Sequence, residues 1–194
     1  MLDRQGLENA LVTLGELLSD RNERFKVVAI GGGALSLTGL IDRSTHDIDL
    51  VAVSTDDGLV TAEPLPSGLH NAIKDIADVL RLDRKWMNAG PTSLLRFGLP
   101  SGFVERCEER TYGTLTVLIA SRLDQIHFKL FAAADEYHGG PQTGKHHRDL
   151  QRLGPTSEEL LLAASWARTH DPSEGFLIQL RGALRPFGVE PENG

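Results

Sequence analysis

Three scarcities bound this chain of 194 residues before any motif is read. It has one cysteine, Cys107, so no disulfide can form within the chain, and a lone thiol fits a reducing, cytoplasmic setting. No stretch approaches the roughly 18–20 consecutive apolar residues of a membrane span, and the opening MLDRQGLENA lacks the apolar run of a signal peptide. A cytoplasmic protein with no membrane partner is expected. Positive charge is short as well: 20 Lys and Arg against 27 Asp and Glu leave a net charge of −7. That argues against a broad electrostatic grip on nucleic acid and leaves room only for a local basic cleft. Internal repeats and low-complexity blocks are missing too. The remaining composition, 40% hydrophobic and 24% charged, is that of a globular chain able to bury a core as one domain or a domain with an appendage.

The stretch that carries chemistry runs from residue 25 to 53. An apolar run, Val27-Val28-Ala29-Ile30, meets Gly31-Gly32-Gly33, and an apolar helical segment begins at Ala34-Leu35. This pattern predicts strand, tight turn and helix. Glycines at such a turn let the backbone approach a ligand, and free N–H groups at a helix start point toward an anion. After Arg43, the run Asp47-Ile48-Asp49-Leu50-Val51 alternates acidic and apolar residues. Side chains two apart on a strand share a face, so Asp47 and Asp49 stand together while Ile48 points into the core. Two carboxylates in that position supply oxygen ligands for Mg²⁺, which commonly takes its remaining ligands from water and substrate phosphates. Packing of strand on helix would account for the glycines alone, and a solvated strand end for the carboxylates alone; the two within one short unit favour a nucleotide and metal site.

The pattern Gly31-Gly32-x-Ala34-Leu35, Arg43, Asp47-Ile48-Asp49-Leu50 resembles the signature of the nucleotidyltransferase superfamily that includes DNA polymerase beta. More narrowly it is similar to the AbiE-type and MenT-like toxins of bacterial toxin–antitoxin systems. Gly32 stands where the superfamily often has Ser, so a hydroxyl contact to phosphate would have to come from Ser36 or Ser44. The resemblance extends to a second patch. In those toxins a lysine, followed some twenty residues on by an aspartate in a basic-Asp-Leu context, contributes to the active site, and Lys129 and Arg148-Asp149-Leu150 match that arrangement. It also implies nucleotide contacts for Gly31, Gly32, Arg43 and Lys129, a nucleoside triphosphate substrate, a tRNA 3′ end as acceptor, and a separately encoded antitoxin as partner. The superfamily often draws a third metal carboxylate from a nearby strand. Residues 115–120 contain none, and Glu105 and Glu109 fit a solvated strand face better than a metal site.

Around these residues the periodicity predicts helices over residues 2–18 (Leu7, Leu11, Leu14, Leu18), 69–80 (Leu69, Ile73, Ile76, Leu80) and 122–138. Residues 54–67 read as a loop and 81–102 as irregular, with a short helix at 93–97. Strands are expected over 103–110 and 115–120, around Tyr112-Gly113. Lys129 lies in the apolar run Phe128-Lys129-Leu130-Phe131, either snorkelling to solvent along its stem or aimed at nucleotide phosphates. Asp149 either orients that lysine, acts as a base on an acceptor hydroxyl, or forms a structural ion pair. A Gly-rich loop over 138–144 precedes a helix. His146 and His147, adjacent and so pointing different ways, do not make a zinc site. Thr156 to Glu159 forms a capping box for the next helix, a last helix spans 173–184, and residues 189–194 form a tail.

The expected fold is therefore α/β (α+β), a nucleotidyltransferase fold with a mixed central sheet flanked by helices over residues 1–120. A helical C-terminal part, 121–194, is expected to close the active-site cleft. The expected activity is Mg²⁺-dependent transfer of a nucleoside monophosphate. Adenylylation of a small molecule such as an aminoglycoside, or of a protein, is the alternative enzyme, and an inactive nucleotide-binding module the alternative class. A Rossmann dinucleotide site is excluded, because Gly31-Gly32-Gly33-Ala34-Leu35-Ser36 lacks the third spaced glycine.

Overall fold

The computed structural model describes residues 1–139 and 144–191, which form a mixed six-stranded sheet and nine α-helices. Contacts divide the chain into two compact units, Met1–Ser121 and Arg122–Gly194.

The first unit holds the sheet. Helix α1 (Arg4–Asp20) is started by Asp3, whose carboxylate accepts from the Gly6 N–H at 2.8 Å, and it buries Leu7, Leu11, Leu14 and Leu18 on one face. Strand β1 (Phe25–Ile30) runs directly into α2 (Gly31–Leu37). The chain returns along β2 (Ile48–Thr55), antiparallel to β1 with Ile30 opposite Asp49. Register shifts between Val28 and Ala29, a bulge of the kind found beside functional sites.

The outer edge of β2 is shared by two short strands. β3 (Gly58–Thr61) pairs antiparallel with residues 52–55, and β4 (Met87–Asn88) pairs parallel with Ile48 and Asp49. Residues 54–67 are thus not wholly a loop. β3 is mostly exposed and offers no apolar alternation that a sequence pattern could register. Helix α3 (Ser67–Leu80) buries Leu69, Ile73 and Ile76 as expected, with Ala72 and Ala77 completing the face, while Leu80 is largely exposed.

The chain then passes through β4, a 3₁₀ turn (Gly90–Ser93), α4 (Leu94–Phe97) and α5 (Phe103–Arg106). The strand expected from residue 103 begins only at Glu108. Gly102, at φ +70°, turns the backbone so that 103–106 closes one helical turn instead. Strands β5 (Glu108–Tyr112) and β6 (Leu115–Ile119) form the expected hairpin, and β6 lies parallel to β1. The sheet order is β3-β2-β1-β6-β5, with β4 on β2, so β1 and its glycine turn sit near the middle.

The second unit is helical. Helices α6 (Arg122–Asp135), α7 (Lys145–Leu153), α8 (Ser157–His170) and α9 (Glu174–Leu184) bury Leu130, Leu150, Leu160, Ala163, Leu180 and Leu184. Trp166 packs its edge against Phe128 and Phe131, with ring centroids 5.5 and 6.0 Å apart. The capping box is present: Thr156 Oγ1 accepts from the Glu159 N–H at 3.1 Å, and the Glu159 carboxylate accepts from the Thr156 N–H at 2.9 Å. Residues 140–143 of the Gly-rich loop and 192–194 of the tail lie outside the described residues. Among the described residues, no helix is long and apolar enough to cross a membrane.

Candidate functional site

The glycine turn and the carboxylates meet because β1 and β2 are antiparallel neighbours: the last residue of β1, Ile30, is opposite Asp49. Gly31 has φ +78°, and a Cβ built there would lie 2.6 Å from Asp49 Oδ2. Both facts demand glycine. The backbone is left-handed at this point, and a carboxylate occupies the space a side chain would need. Gly33 presses on the same strand, where an added Cβ would lie 2.5 Å from the Asp47 carbonyl. The turn therefore lies directly against the Asp47-Ile48-Asp49 run. Ile48 is fully buried, whereas Asp47 and Asp49 are half-buried.

Arg43 comes back over the turn. Its Nη2 and Thr45 Oγ1 both stand 3.2 Å from where a Gly32 Cβ would be. Thr45 is fixed by a two-way backbone bridge to Leu2, at 2.7 and 2.9 Å. The hydroxyl placed against Gly32 is therefore that of Thr45. Ser36 is buried within α2 and Ser44 is exposed.

Asn88 completes the arrangement, and sequence reasoning missed it. In the parallel β2–β4 pairing Asn88 is opposite Asp49. Its Oδ1 accepts from the Gly90 N–H at 2.8 Å, which leaves Nδ2 to donate to Asp47 Oδ2 at 3.4 Å and Asp49 Oδ1 at 3.3 Å. Strand β4 is held from beneath by fully buried Trp86, whose indole N–H donates to the Ile73 carbonyl at 3.1 Å and whose own carbonyl accepts from the Ile48 N–H at 2.7 Å. Thr92 braces the other side, donating to the Val51 carbonyl and accepting from the Ala62 N–H.

Two carboxylates bracketing a single amide nitrogen form an oxygen-rich donor set that fits a hard divalent cation, with Asp47 and Asp49 as the residues to hold it. No group of three or more His, Cys, Asp or Glu able to hold a metal occurs among the described residues. Glu109 instead pairs with Lys26 at 2.8 Å, and Glu105 is exposed on α5. His146 faces Glu136 at 3.4 Å, and burial pushes the His147 imidazole below its ordinary pKa. A cavity of about 630 Å³ adjoins the carboxylates; Asp47 and Asn88 line it with apolar Leu65, Ile73 and Met87 and polar Glu63 and His70.

Lys129 and Asp149 come together within the second unit, α6 to α7. Lys129 Nζ donates to Asp149 Oδ2 at 2.9 Å, and the two side chains are 4% and 2% exposed. The lysine does not snorkel to solvent. Burying two ionisable groups in so apolar a setting is costly unless they are paired, and here each is the other's partner. On the other face of α7, Lys145, Arg148 and Arg152 are exposed and form a basic stripe on an acidic protein.

A family model described as "nucleotidyltransferase of unknown function (DUF6036)" matches residues 8–137. No curated protein matches the chain. No solved structure matches it either.

Proposed function

Because the chain belongs to the DUF6036 family of nucleotidyltransferases of unknown function, we propose that it moves a nucleoside monophosphate from a nucleoside triphosphate to an acceptor hydroxyl in a Mg²⁺-dependent reaction. The acceptor oxygen bonds to the α-phosphorus, the bond from that phosphorus to the bridging oxygen breaks, and pyrophosphate leaves. The observation that carries this reading is the contact of the glycine turn with the Asp47–Asp49 pair, with Arg43 drawn over Gly32.

Asp47 and Asp49 would hold the metal, whose positive charge would offset the negative charge that develops on the departing pyrophosphate. Gly31 and Gly32 carry no side chain to keep phosphates from the backbone, and Arg43 and Thr45 add a cation and a hydroxyl beside them. The resemblance, rather than a contact with these residues, is what gives Lys129 a role in the reaction. Asp149, already paired to Lys129, fits the role of orienting it better than that of a base, since a base must be free to take a proton.

The acceptor we favour is the 3′ end of tRNA, with the enzyme acting as the toxin of a toxin–antitoxin pair, as in the AbiE-type and MenT-like proteins it resembles. The exposed Lys145, Arg148 and Arg152 stripe supports a polyanionic acceptor, and phosphate contacts there would make binding salt-sensitive. A small-molecule acceptor is the second reading. The cavity of about 630 Å³ beside Asp47 favours it, being of a size that encloses a small ligand.

Purified protein with Mg²⁺, each α-labelled nucleoside triphosphate and total tRNA, run beside Asp49→Ala, tests both. Label on RNA that the variant does not produce supports the tRNA reading. Label absent from RNA but present on an amino-sugar acceptor supports the second, and no transfer to any acceptor with intact Mg²⁺-nucleotide binding refutes the enzyme.

A further inference from the structure

Asn88 stands where a third acidic ligand would complete the carboxylate pair, and its geometry is more constrained than that of a solvent-facing amide. The Gly90 N–H holds Oδ1 at 2.8 Å, and the register opposite Asp49 keeps the side chain on the carboxylate face. The NH₂ group is thereby aimed at one oxygen of each aspartate. Two negative charges side by side repel, and an N–H donor between them relieves part of that repulsion. The same donor fixes the side-chain torsions of both acids.

A neutral amide also sets the charge of the site. Two carboxylates, with the Arg43 cation close by over Gly32, make a moderately anionic site. A carboxylate at position 88 would leave excess negative charge facing a triphosphate, while making the protein alone a tighter trap for the ion.

We propose that Asn88 is a positioning residue that holds Asp47 and Asp49 in register before metal arrives. It also keeps the negative charge of the site below that of three carboxylates, which weakens its hold on a free divalent cation. The inference rests on the reading of Asp47 and Asp49 as metal residues.

The test is Mn²⁺ binding followed by electron paramagnetic resonance, with and without a non-hydrolysable α,β-methylene nucleoside triphosphate, on the full chain. Wild type binds free Mn²⁺ weakly and the Mn²⁺-nucleotide complex at least about tenfold more tightly. Asn88→Asp binds free Mn²⁺ about tenfold more tightly than wild type, since a third charge is added next to the ion, and it gains less from the nucleotide. In EDTA its melting temperature falls, and Mn²⁺ restores it. This variant reads the charge of the site, and Asn88→Ala reads the positioning. Asn88→Ala weakens the nucleotide-dependent Mn²⁺ signal several-fold. Asn88→Asp that is folded yet binds free Mn²⁺ no more tightly than wild type overturns the proposal. If that variant does not fold, Asn88→Ala decides: unchanged Mn²⁺ binding overturns it and weakened binding supports it. Asp47→Ala and Asp49→Ala separate the two layers. If they leave Mn²⁺ bound, the metal reading itself fails; if they abolish it while substitutions at 88 change nothing, only the role of Asn88 fails.

Discussion

Replacing Lys129 with methionine keeps the length of the side chain and removes its charge, which isolates what the buried ion pair contributes. Both partners are almost wholly enclosed, at 4% and 2% exposure, and 2.9 Å apart. Taking away one partner of such a pair leaves the other's charge buried without it, at a cost of about 3–5 kcal/mol. For a chain of this length each kcal/mol lowers the melting temperature by roughly 2–4 °C, so Lys129→Met should melt on the order of 10 °C or more below wild type. Adding Asp149→Asn removes the stranded charge, and the double variant should recover to within about 1–2 kcal/mol of wild type, since paired buried charges add little net stability over neutral groups. Urea unfolding of the four proteins reads the cycle. A Lys129→Met protein within about 1 kcal/mol of wild type, or a double variant no better than the single, would refute the reasoning. Label transfer by the recovered double variant then separates stability from chemistry. On our reading it stays inactive although it is folded.

Three further outcomes follow from the coordinates. Gly31→Ala forces a Cβ into the left-handed region and against Asp49 Oδ2; it should cost about 1–3 kcal/mol and weaken Mn²⁺ binding, as calorimetry and spin resonance would show. Burial, then hydrogen bonding to Glu8, raises the Tyr112 phenol to about 12. Because this folded-state pKa lies above the unfolded value, the stabilisation is full below pH ~10 and is lost as pH rises toward about 12. In a Tyr137→Phe background the tyrosinate absorbance should rise near pH 12 and not near 10; a transition near 10 in still-folded protein contradicts the packing. Leu65→Trp, at the wall of the cavity beside Asp47, should raise KM for the substrate part lodged there with kcat nearly unchanged and Mn²⁺ binding intact; unchanged KM for both nucleotide and acceptor would show that the cavity holds neither.

The residues readable from the sequence are those whose signal is local. Val27 to Ile30 followed by three glycines, and Asp47 and Asp49 alternating with buried Ile48, declare strand, turn, helix and strand within about thirty residues; β1 and β2 follow that pattern, while α2 begins at Gly31, within the glycines, and not after them at Ala34. The Leu7 to Leu18 stripe and the Thr156 capping box are equally local. Asn88 is different. It sits in a two-residue strand with no periodicity, and its place depends on a parallel pairing with Asp49, 39 positions away in the chain. Only tertiary structure brings it there. β3 was lost for the same reason, being short and exposed, with nothing in its pattern to distinguish it from loop. At residues 103–106, the Phe-Val start suggested a strand, but the Gly102 turn and the start of β5 at Glu108 overrode propensity. The nearness of Lys129 to Asp149 could be guessed from their twenty-residue separation only through a resemblance; their burial together could not.

The most direct test of nucleotidyl transfer uses one nucleoside triphosphate labelled at the α or at the γ phosphate. It is incubated with Mg²⁺ and separate RNA, protein and small-molecule fractions, beside Asp49→Ala. The account predicts α-label joined to an acceptor in one fraction, γ-label recovered as pyrophosphate, and neither with the variant. γ-Label on the acceptor, or transfer undiminished in Asp49→Ala, would contradict it.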